Sequence, residues 1–186
     1  PDIARAVRGV ALIPGTGEYA LATSPVYLTG GGIGENLPLN INTPSGQTDF
    51  TTSVEALTQE LPACGSVSLV VSWFGDDLRC GECTIRPKVE QTARDGRGMP
   101  WQVSGVTRST ADVVPEQDGA SVYGGTPTDA AVIEAITDLR ARGLSPVFCP
   151  FILMDQLGDN TLPDPYSGDL GQGAFPWRGR VTTSLA

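Results

Sequence analysis

The sequence predicts an α/β fold in which two buried parallel strands end at a common edge that carries aspartates. Two apolar runs indicate these strands: SVSLVVSWFGDD at 66–77 and PVFCPFILMD at 146–155, each ending in carboxylates. Strands that are apolar on both faces are typical of a sheet that is covered on both sides. A clear helical pattern lies between the two runs, so we predict a βαβ unit with parallel strands.

The composition argues against several classes of function. The 186-residue chain has a net charge of −9, and an acidic surface repels the phosphate backbone of nucleic acids. No apolar run approaches the ~20 residues that a membrane-spanning helix needs. The chain contains no histidine, which excludes Ser-His-Asp and Cys-His nucleophile systems and histidine-ligated metals within it. We therefore expect no cofactor, no metal, no nucleic-acid partner and no transmembrane segment.

Residues 1–48 have no sustained hydrophobic period. They are rich in glycine and proline, and GGGIG at 30–34 interrupts any regular element. We predict that this part is an extended, loop-rich connector or packing arm. We also expect the chain to be a piece of a longer polypeptide, because it opens on Pro1 and stops after a Thr-rich stretch.

Residues 49–61 have the pattern of an amphipathic helix. Thr48 or Asp49 is a suitable N-cap, and Pro62 ends the helix. One stripe of a 3.6-residue period is formed by Phe50, Val54, Leu57 and Leu61. After a short turn, the first buried strand follows at 66–74.

A long segment, 75–125, separates this strand from the next helix. Ordinary strand-to-helix loops take only about 2–6 residues, so the segment needs structure of its own. Residues 84–91 and 101–107 have strand character, and RDGRG at 94–98 contains the Asp-Gly pair typical of hairpin turns. We predict a β-hairpin insertion at about 79–125 that lies over the end of the sheet.

The second helix has clear start and stop signals. Thr126 is a good N-cap, Pro127 suits the first helical position, and Gly143 suits the position just after the helix. The apolar stripe consists of Val132, Ala135, Ile136 and Leu139. The second strand follows at 144–154, and a long loop rich in Pro, Gly and Asp comes after Asp155. Two parallel strands that each lead into a long loop are typical of a (β/α) barrel.

Several motifs together resemble a known family. SLVVSWFGDDLRCGECTIRPKVE, followed by W-x-V-x-G, YGGTPTD and FCPFILMD, is similar to the glycoside hydrolase TIM-barrel-like domain of large phage-type tail-tip proteins. These include the tail-tip proteins of gene transfer agents that are also called host specificity proteins. The resemblance covers roughly residues 49–186, and RGVALIPGTGEYAL near the start is also similar to such proteins.

The resemblance implies a fold, a role and a location. Residues 49–186 would be the first part of a TIM-barrel-like domain, with two of about eight strands. The protein would be a component of the tail tip or baseplate of a phage-like particle, assembled in the cytoplasm and acting at the envelope of the recipient cell. Its partners would be hub-type tail proteins, copies of itself and envelope polysaccharide. The alternative is an active glycoside hydrolase that degrades cell-wall polysaccharide, so catalysis is left open.

Three aspartates are the candidate catalytic residues. Asp76 and Asp77 follow the first strand, and Asp155 follows the second. Neighbouring strands lie about 4.8 Å apart, so these carboxylates are able to converge. Glycoside hydrolysis needs two carboxylates about 5–10 Å apart, one acting as acid and the other as base or nucleophile. The alternative is that the aspartates are ordinary loop and cap residues.

Four aromatic residues are candidates for carbohydrate binding, because aromatic rings stack on the apolar faces of sugars. They are Trp73, Trp101, Tyr166 and Trp177. The alternative is that Trp73 belongs to the core and the other three anchor the long loops.

Cys80 and Cys83, in CGEC, have the spacing of a metal-binding or redox pair. A zinc site would need four ligands, and only Cys64 and Cys149 remain to complete it. We predict no metal site and keep a local disulfide between Cys80 and Cys83 as an alternative. Cys64 and Cys149 are expected to be small buried apolar residues.

Overall fold

The structure, a computed structural model, describes residues 2–14, 17–30 and 36–175. In these ranges it has three helices and twelve strands, most of which are two residues long. In chain order they are α1 Ile3–Ala6, β1 Gly9–Leu12, β2 Tyr27–Leu28, α2 Asp49–Glu60, β3 Ser66–Gly75, β4 Ile85–Arg86, β5 Lys88–Val89, β6 Gly96–Arg97, β7 Gln102–Val103, β8 Val106–Thr107, β9 Asp112–Val113, β10 Glu116–Gln117, β11 Ala120–Ser121, α3 Asp129–Ala141 and β12 Ser145–Met154.

The main sheet contains the two predicted strands side by side. Its order is β1-β3-β12, and all three strands are parallel, with Ser66 of β3 in register with Gly9 of β1 and with Ser145 of β12. The short strand β4 adds antiparallel to the end of β3. The predicted parallel pairing of the two long apolar runs is confirmed.

The prediction of a partial TIM-barrel-like unit is wrong. The described residues form a mixed α/β structure with three short helices, one small mainly parallel sheet and four separate two-stranded sheets, and no closed barrel is present among them. Proline explains why the sheet stops at β12. Ser145 and Asp155 donate their N–H groups to Gly65 and Gly75 on the β3 side, at 2.9 and 3.0 Å. The even-numbered residues of β12 therefore point their backbone groups to the other edge.

Two of those even-numbered residues, Pro146 and Pro150, have no N–H to donate. The outer edge of β12 thus lacks two of the donors that a further strand would need. Proline in a sheet is confined to edge strands, and β12 pairs with β3 alone in the ranges described.

The core lies on one face of the sheet. Val67, Leu69 and Val71 of β3 are buried there in one apolar cluster with residues from both longer helices. The helical residues are Phe50 and Val54 of α2, and Ala131, Val132, Ala135 and Leu139 of α3. Leu21 and Val26 belong to the same cluster, so the segment before residue 49 shares the core of the segment after it. The predicted domain division at residue 48 stays a prediction.

The opposite face of the sheet is only partly covered. We call it the open face, and the register and the alternation of side chains assign to it Ala11, Ser68, Val70, Ser72, Val147, Cys149 and Phe151. None of these residues is fully buried, and Val147 is 53% exposed. The prediction that both long strands are buried on both faces is therefore wrong.

The ends of the longer helices follow local sequence signals. Helix α2 starts where predicted, because the Thr48 hydroxyl accepts the N–H of Thr51 at 3.3 Å. Helix α3 ends at Ala141 with Arg142 as its C-cap, and Gly143 takes the predicted position just after the helix, with a φ of +78°. The predicted N-cap Thr126 is wrong by two residues, and Thr128 holds this position. The Thr126 hydroxyl instead accepts the N–H of Lys88 at 3.1 Å, which ties it to the long insertion.

The predicted hairpin insertion does not form. Segments 84–91 and 101–107 do not pair with each other. Strand β4 pairs with β3, β5 with β9 and β6 with β2, whereas β7 pairs with β8. We call residues 2–14 and 17–30 the N-terminal segment. The Asp95-Gly96 pair does not close a hairpin, because Gly96 belongs to β6, which pairs with β2 of this segment. No helix among the residues that the structure describes has the length and apolar character needed to cross a membrane.

Candidate functional site

The strongest site predicted from the sequence lies at the carboxyl end of the main sheet. The register pairs Met154 of β12 with Gly75 of β3, which places Asp155 beside Asp76 at the next position. The N–H of Asp155 donates to the oxygen of Gly75 at 3.0 Å. The backbones of these two candidate residues are thus neighbours on one rim.

Asp76 fixes the segment in which the chain turns back after β3. Its Oδ1 accepts the N–H of Thr84 at 2.7 Å, and the side chain is half-buried. This bond closes the turn that contains both cysteines of the CGEC motif. Asp76 therefore has a structural role beside any chemical one.

Asp77 is a buried carboxylate with a permanent cationic partner. Its Oδ2 lies 2.6 Å from Nη2 of Arg79, and its Oδ1 accepts the N–H of Arg79 and the Nε2 of Gln172, each at 2.8 Å. Burial raises the pKa of this carboxyl, but the hydrogen bonds from Arg79 and Gln172 outweigh burial and hold the pKa below its usual range. Asp77 is ionised at neutral pH, so it does not carry the proton that a general acid must donate.

Asp155 is paired with Lys88 of β5. Nζ of Lys88 lies 2.5 Å from Oδ2 of Asp155, and both side chains are largely buried. The pair links the end of β12 to the long insertion. Each of the three predicted catalytic aspartates therefore has its own partner, and their catalytic role stays a prediction.

Two glutamines that sequence reasoning missed complete this rim. Gln172 is buried, and its Oε1 accepts the N–H of Leu78 at 3.0 Å and the Nε2 of Gln156 at 2.7 Å. Its Nε2 donates to Asp77 and to the oxygen of Pro163, at 2.8 and 2.9 Å. Gln172 thus fixes the loop after Asp155 against the end of β3. No periodic pattern marks a single buried glutamine in a Gly-rich loop, so the sequence carried no signal for it.

The four predicted carbohydrate-binding aromatics do not lie in equivalent environments. Trp101 is 1% exposed, and its Nε1 donates to the oxygen of Thr126 at 2.8 Å, so it offers no ring face to a ligand in this structure. Trp73 is half-buried and packs against the core, whereas Tyr166 is 55% exposed on the loop after β12. Trp177 lies outside the described residues.

All four cysteines are free thiols, including the pair in CGEC. Within the described ranges, no group of three or more Cys, Asp, Glu or His side chains is arranged to hold a metal ion. Cys80 is exposed and Cys83 is half-buried. Cys80 and Cys83 are therefore two free thiols in this structure. The predicted absence of a metal site stays a prediction.

A second cluster of charged groups is buried between the N-terminal segment and the long insertion. Arg108 is its centre, and all five of its N–H donors have acceptors. Its Nε donates to Asp95 at 2.9 Å, its Nη1 to the oxygen of Gln91 at 2.7 Å and to Glu18 at 3.2 Å, and its Nη2 to Tyr19 at 3.0 Å and to Glu18. We call these residues the Arg108 cluster.

Burial and hydrogen bonding act in opposite directions in the Arg108 cluster. The pKa of Glu18 is raised, because burial outweighs the hydrogen bonds from Arg108 and from the N–H of Glu90, which lower it. For Arg108, burial lowers the pKa, but the bonds to Glu18 and Asp95 outweigh burial and raise it. We assign Arg108 as charged, because every one of its donors has an acceptor. The cluster then acts as a clasp, by which we mean that it holds the N-terminal segment against the long insertion. Its donors are all used for this structural role.

The sequence alone does not place this clasp. Glu18 and Arg108 are 90 residues apart, and each stands alone among uncharged neighbours that lack a period. The one available signal is the carboxylate in GTGEYALA, which interrupts an otherwise uncharged stretch.

Comparison with known proteins adds no relative. No protein-family model matches the chain, and no curated protein is significantly similar to it in sequence.

The Asp77–Arg79 pair predicts how stability depends on acid. The pKa of Asp77 is lowered in the folded state, so its contribution is complete above the unfolded pKa of about 3.9 and is lost as the pH falls below that value. We expect Asp77→Asn to be less stable than the parent at pH 7 and to lose less further stability between pH 5 and pH 3. Urea unfolding at several pH values measures both effects. Equal pH slopes for the variant and the parent would contradict the assignment.

Proposed function

We propose that this chain is a structural component of the tail tip or baseplate of a phage-like particle, of the gene transfer agent type. In this role it packs against a neighbouring tail protein through the open face of its sheet. The motifs given above support the particle type, and the surface of β12 supports the structural role.

The open face is the observation that carries this proposal. Parallel sheets are normally covered on both faces, yet the helices of this chain cover one face only. No residue of β12 is charged, although the protein has a net charge of −9. An uncharged, largely apolar surface on an acidic protein is suited to protein contact and unsuited to nucleic acid.

The prolines of β12 define how the partner binds. Pro146 and Pro150 remove donors from the free edge, so addition of a strand at that edge is disfavoured. A partner is therefore expected to lie on the face of the sheet and to present uncharged, apolar side chains there. We assign this place to a hub-type tail protein, and the carboxyl rim with Tyr166 remains available for envelope carbohydrate.

The location of the protein follows from this role. The particle is assembled in the cytoplasm, and its tail tip acts at the envelope of the recipient cell. The acidic surface outside β12 keeps copies of the chain soluble before assembly.

A charge placed on the open face tests the proposal. We expect Val147→Asp to abolish recovery of the protein with tailed particles in density-gradient fractions, because a carboxylate buried at the interface has no counter-charge. Ile133→Asp is the matched control, because Ile133 is 63% exposed on α3, away from the open face. The control should remain with the particles.

Circular dichroism and urea unfolding establish that both variants fold. Recovery of Val147→Asp with particles at the level of the parent would refute the role of the open face. Absence of the parent protein from every fraction that contains tails would refute the tail-tip role itself.

An active glycoside hydrolase is the second candidate, and the adjacency of Asp76 and Asp155 favours it. It predicts that the full-length protein releases reducing sugar from peptidoglycan and that Asp76→Asn with Asp155→Asn stops the release. The structural role predicts that neither the parent protein nor the double variant releases reducing sugar. The partners that hold all three aspartates favour the structural role.

A further inference from the structure

Cys80 and Cys83 lie in one tight turn at the carboxyl rim. The N–H groups of Glu82 and Cys83 both donate to the oxygen of Arg79, at 3.0 and 2.9 Å. These two bonds give the turn helical geometry, in which the Cα atoms of residues three apart are about 5 Å from each other. A disulfide needs Cα atoms about 4.4–6.8 Å apart, so the backbone already meets this requirement.

The two thiols differ in access in the way that a redox pair needs. Cys80 is exposed, whereas Cys83 is half-buried against the end of β3. A methyl group built on Gly75 would lie 3.1 Å from Sγ of Cys83, so this sulfur packs closely over the strand end. Cys80 is thus placed to react with a molecule from solution, and Cys83 is held ready to resolve the product.

The other two cysteines lie elsewhere in the fold. Cys64 precedes β3, and its Sγ contacts the oxygen of Ser66 at 3.5 Å, at the opposite end of that strand. Cys149 lies in the middle of β12. The described cysteines therefore contain one close pair and no four-thiolate site.

We propose that Cys80 and Cys83 form a reversible redox-active pair that is oxidised to an intramolecular disulfide by small-molecule disulfides such as oxidised glutathione. The Cys80 thiolate attacks one sulfur of glutathione disulfide, which forms a mixed disulfide and releases one glutathione thiolate. The Cys83 thiolate then attacks Sγ of Cys80 and releases the second. Two protein thiols are oxidised, one glutathione disulfide is reduced to two thiols, and the two protons end on glutathione.

The disulfide acts on the neighbouring rim. Arg79 begins the turn and forms an ion pair with Asp77. Thr84 follows the turn, and its N–H donates to Asp76. Oxidation closes this turn covalently and fixes the spacing between the two aspartates and the insertion. The redox state of the pair thereby regulates how rigid the rim is.

Thiol trapping and mass spectrometry test the proposal. The reduced parent protein is incubated with oxidised glutathione, its free thiols are alkylated, and peptides are mapped. We expect the peptide with residues 80 and 83 to lose two hydrogens and to escape alkylation, and dithiothreitol should reverse this. Cys83→Ser should stop at a glutathione adduct on Cys80, and Cys80→Ser should react far more slowly.

Cys64→Ser and Cys149→Ser serve as matched controls and should behave as the parent does. The proposal is overturned if the parent retains both alkylated thiols, if it accumulates the same stable glutathione adduct as Cys83→Ser, or if the disulfide that forms includes Cys64 or Cys149. Circular dichroism of Cys83→Ser verifies that the comparison concerns a folded protein.

Discussion

Replacing Arg108 with alanine is expected to lower the free energy of unfolding by about 3–5 kcal/mol. The guanidinium donates to Glu18, Asp95, Tyr19 and the backbone of Gln91, and its side chain is buried. Removing it leaves the Glu18 carboxylate buried without its counter-ion. It also weakens the attachment of the N-terminal segment to the long insertion, which then depends on the pairing of β2 with β6 and on the remaining hydrogen bonds.

Arg86 offers a matched control for this experiment. Its ion pair with Asp112 has an N–O distance of 3.1 Å and is exposed on both sides, so Arg86→Ala should cost no more than about 1 kcal/mol. Urea unfolding followed by circular dichroism measures both variants. A double variant, Glu18→Gln with Arg108→Met, should regain part of the loss, because position 18 no longer carries a buried charge without a counter-ion. Equal stability of Arg108→Ala and Arg86→Ala would show that the cluster does not act as a clasp.

Replacing Trp101 with alanine is expected to cost about 3–5 kcal/mol. The ring is among the largest fully buried side chains of the protein, and it belongs to the same apolar cluster as Leu69 and Leu139. Its loss leaves a cavity and removes the bond to the oxygen of Thr126. Trp101→Phe keeps most of the apolar area and should cost about 1–3 kcal/mol, chiefly for the lost hydrogen bond.

The same pair of variants separates a core role from sugar contact at Trp101. A core role predicts a large loss of stability in thermal or urea unfolding, graded from alanine to phenylalanine. A sugar-stacking role predicts near-parental stability for Trp101→Ala together with weaker binding of soluble peptidoglycan fragments by calorimetry. The second outcome would contradict the burial of this ring.

The long regular elements were predictable from the sequence because each has a local cause. The period of 3.6 residues predicts a helix at 49–61, and the structure has it at Asp49–Glu60. The two apolar runs predict strands at 66–74 and 144–154, and the structure has Ser66–Gly75 and Ser145–Met154. Their parallel pairing follows from the helix between them, because a right-handed crossover returns the chain in the same direction.

The barrel interpretation failed for a reason that the sequence already contained. It rests on apolar runs being buried on both faces, but apolar content does not distinguish a central strand from an edge strand. The positions of Pro146 and Pro150 do distinguish the two kinds of strand. Both residues have even numbers, so both lack an N–H donor on the same edge of β12. Two prolines an even number of residues apart in one strand therefore indicate an edge.

The long insertion was beyond sequence reasoning because its contacts are not local. Its very short strands carry no period, and β2 in the N-terminal segment pairs with β6 in the distant insertion. The same holds for the sites. The register places the backbones of Asp76 and Asp155 side by side, whereas the convergence of their carboxylates stays a prediction. The roles of Gln172 and Arg108 depend on loops whose paths no pattern describes.

The prolines of β12 also bear on the behaviour of the protein at high concentration. A long uncharged strand at the margin of a sheet is a template on which identical chains can stack into cross-β fibres. Each stacked chain would have to bond to the even-numbered backbone groups, and Pro146 and Pro150 interrupt that ladder near its start and its middle. The apolar strand β12 can therefore remain at the margin of the sheet without acting as a template for such fibres.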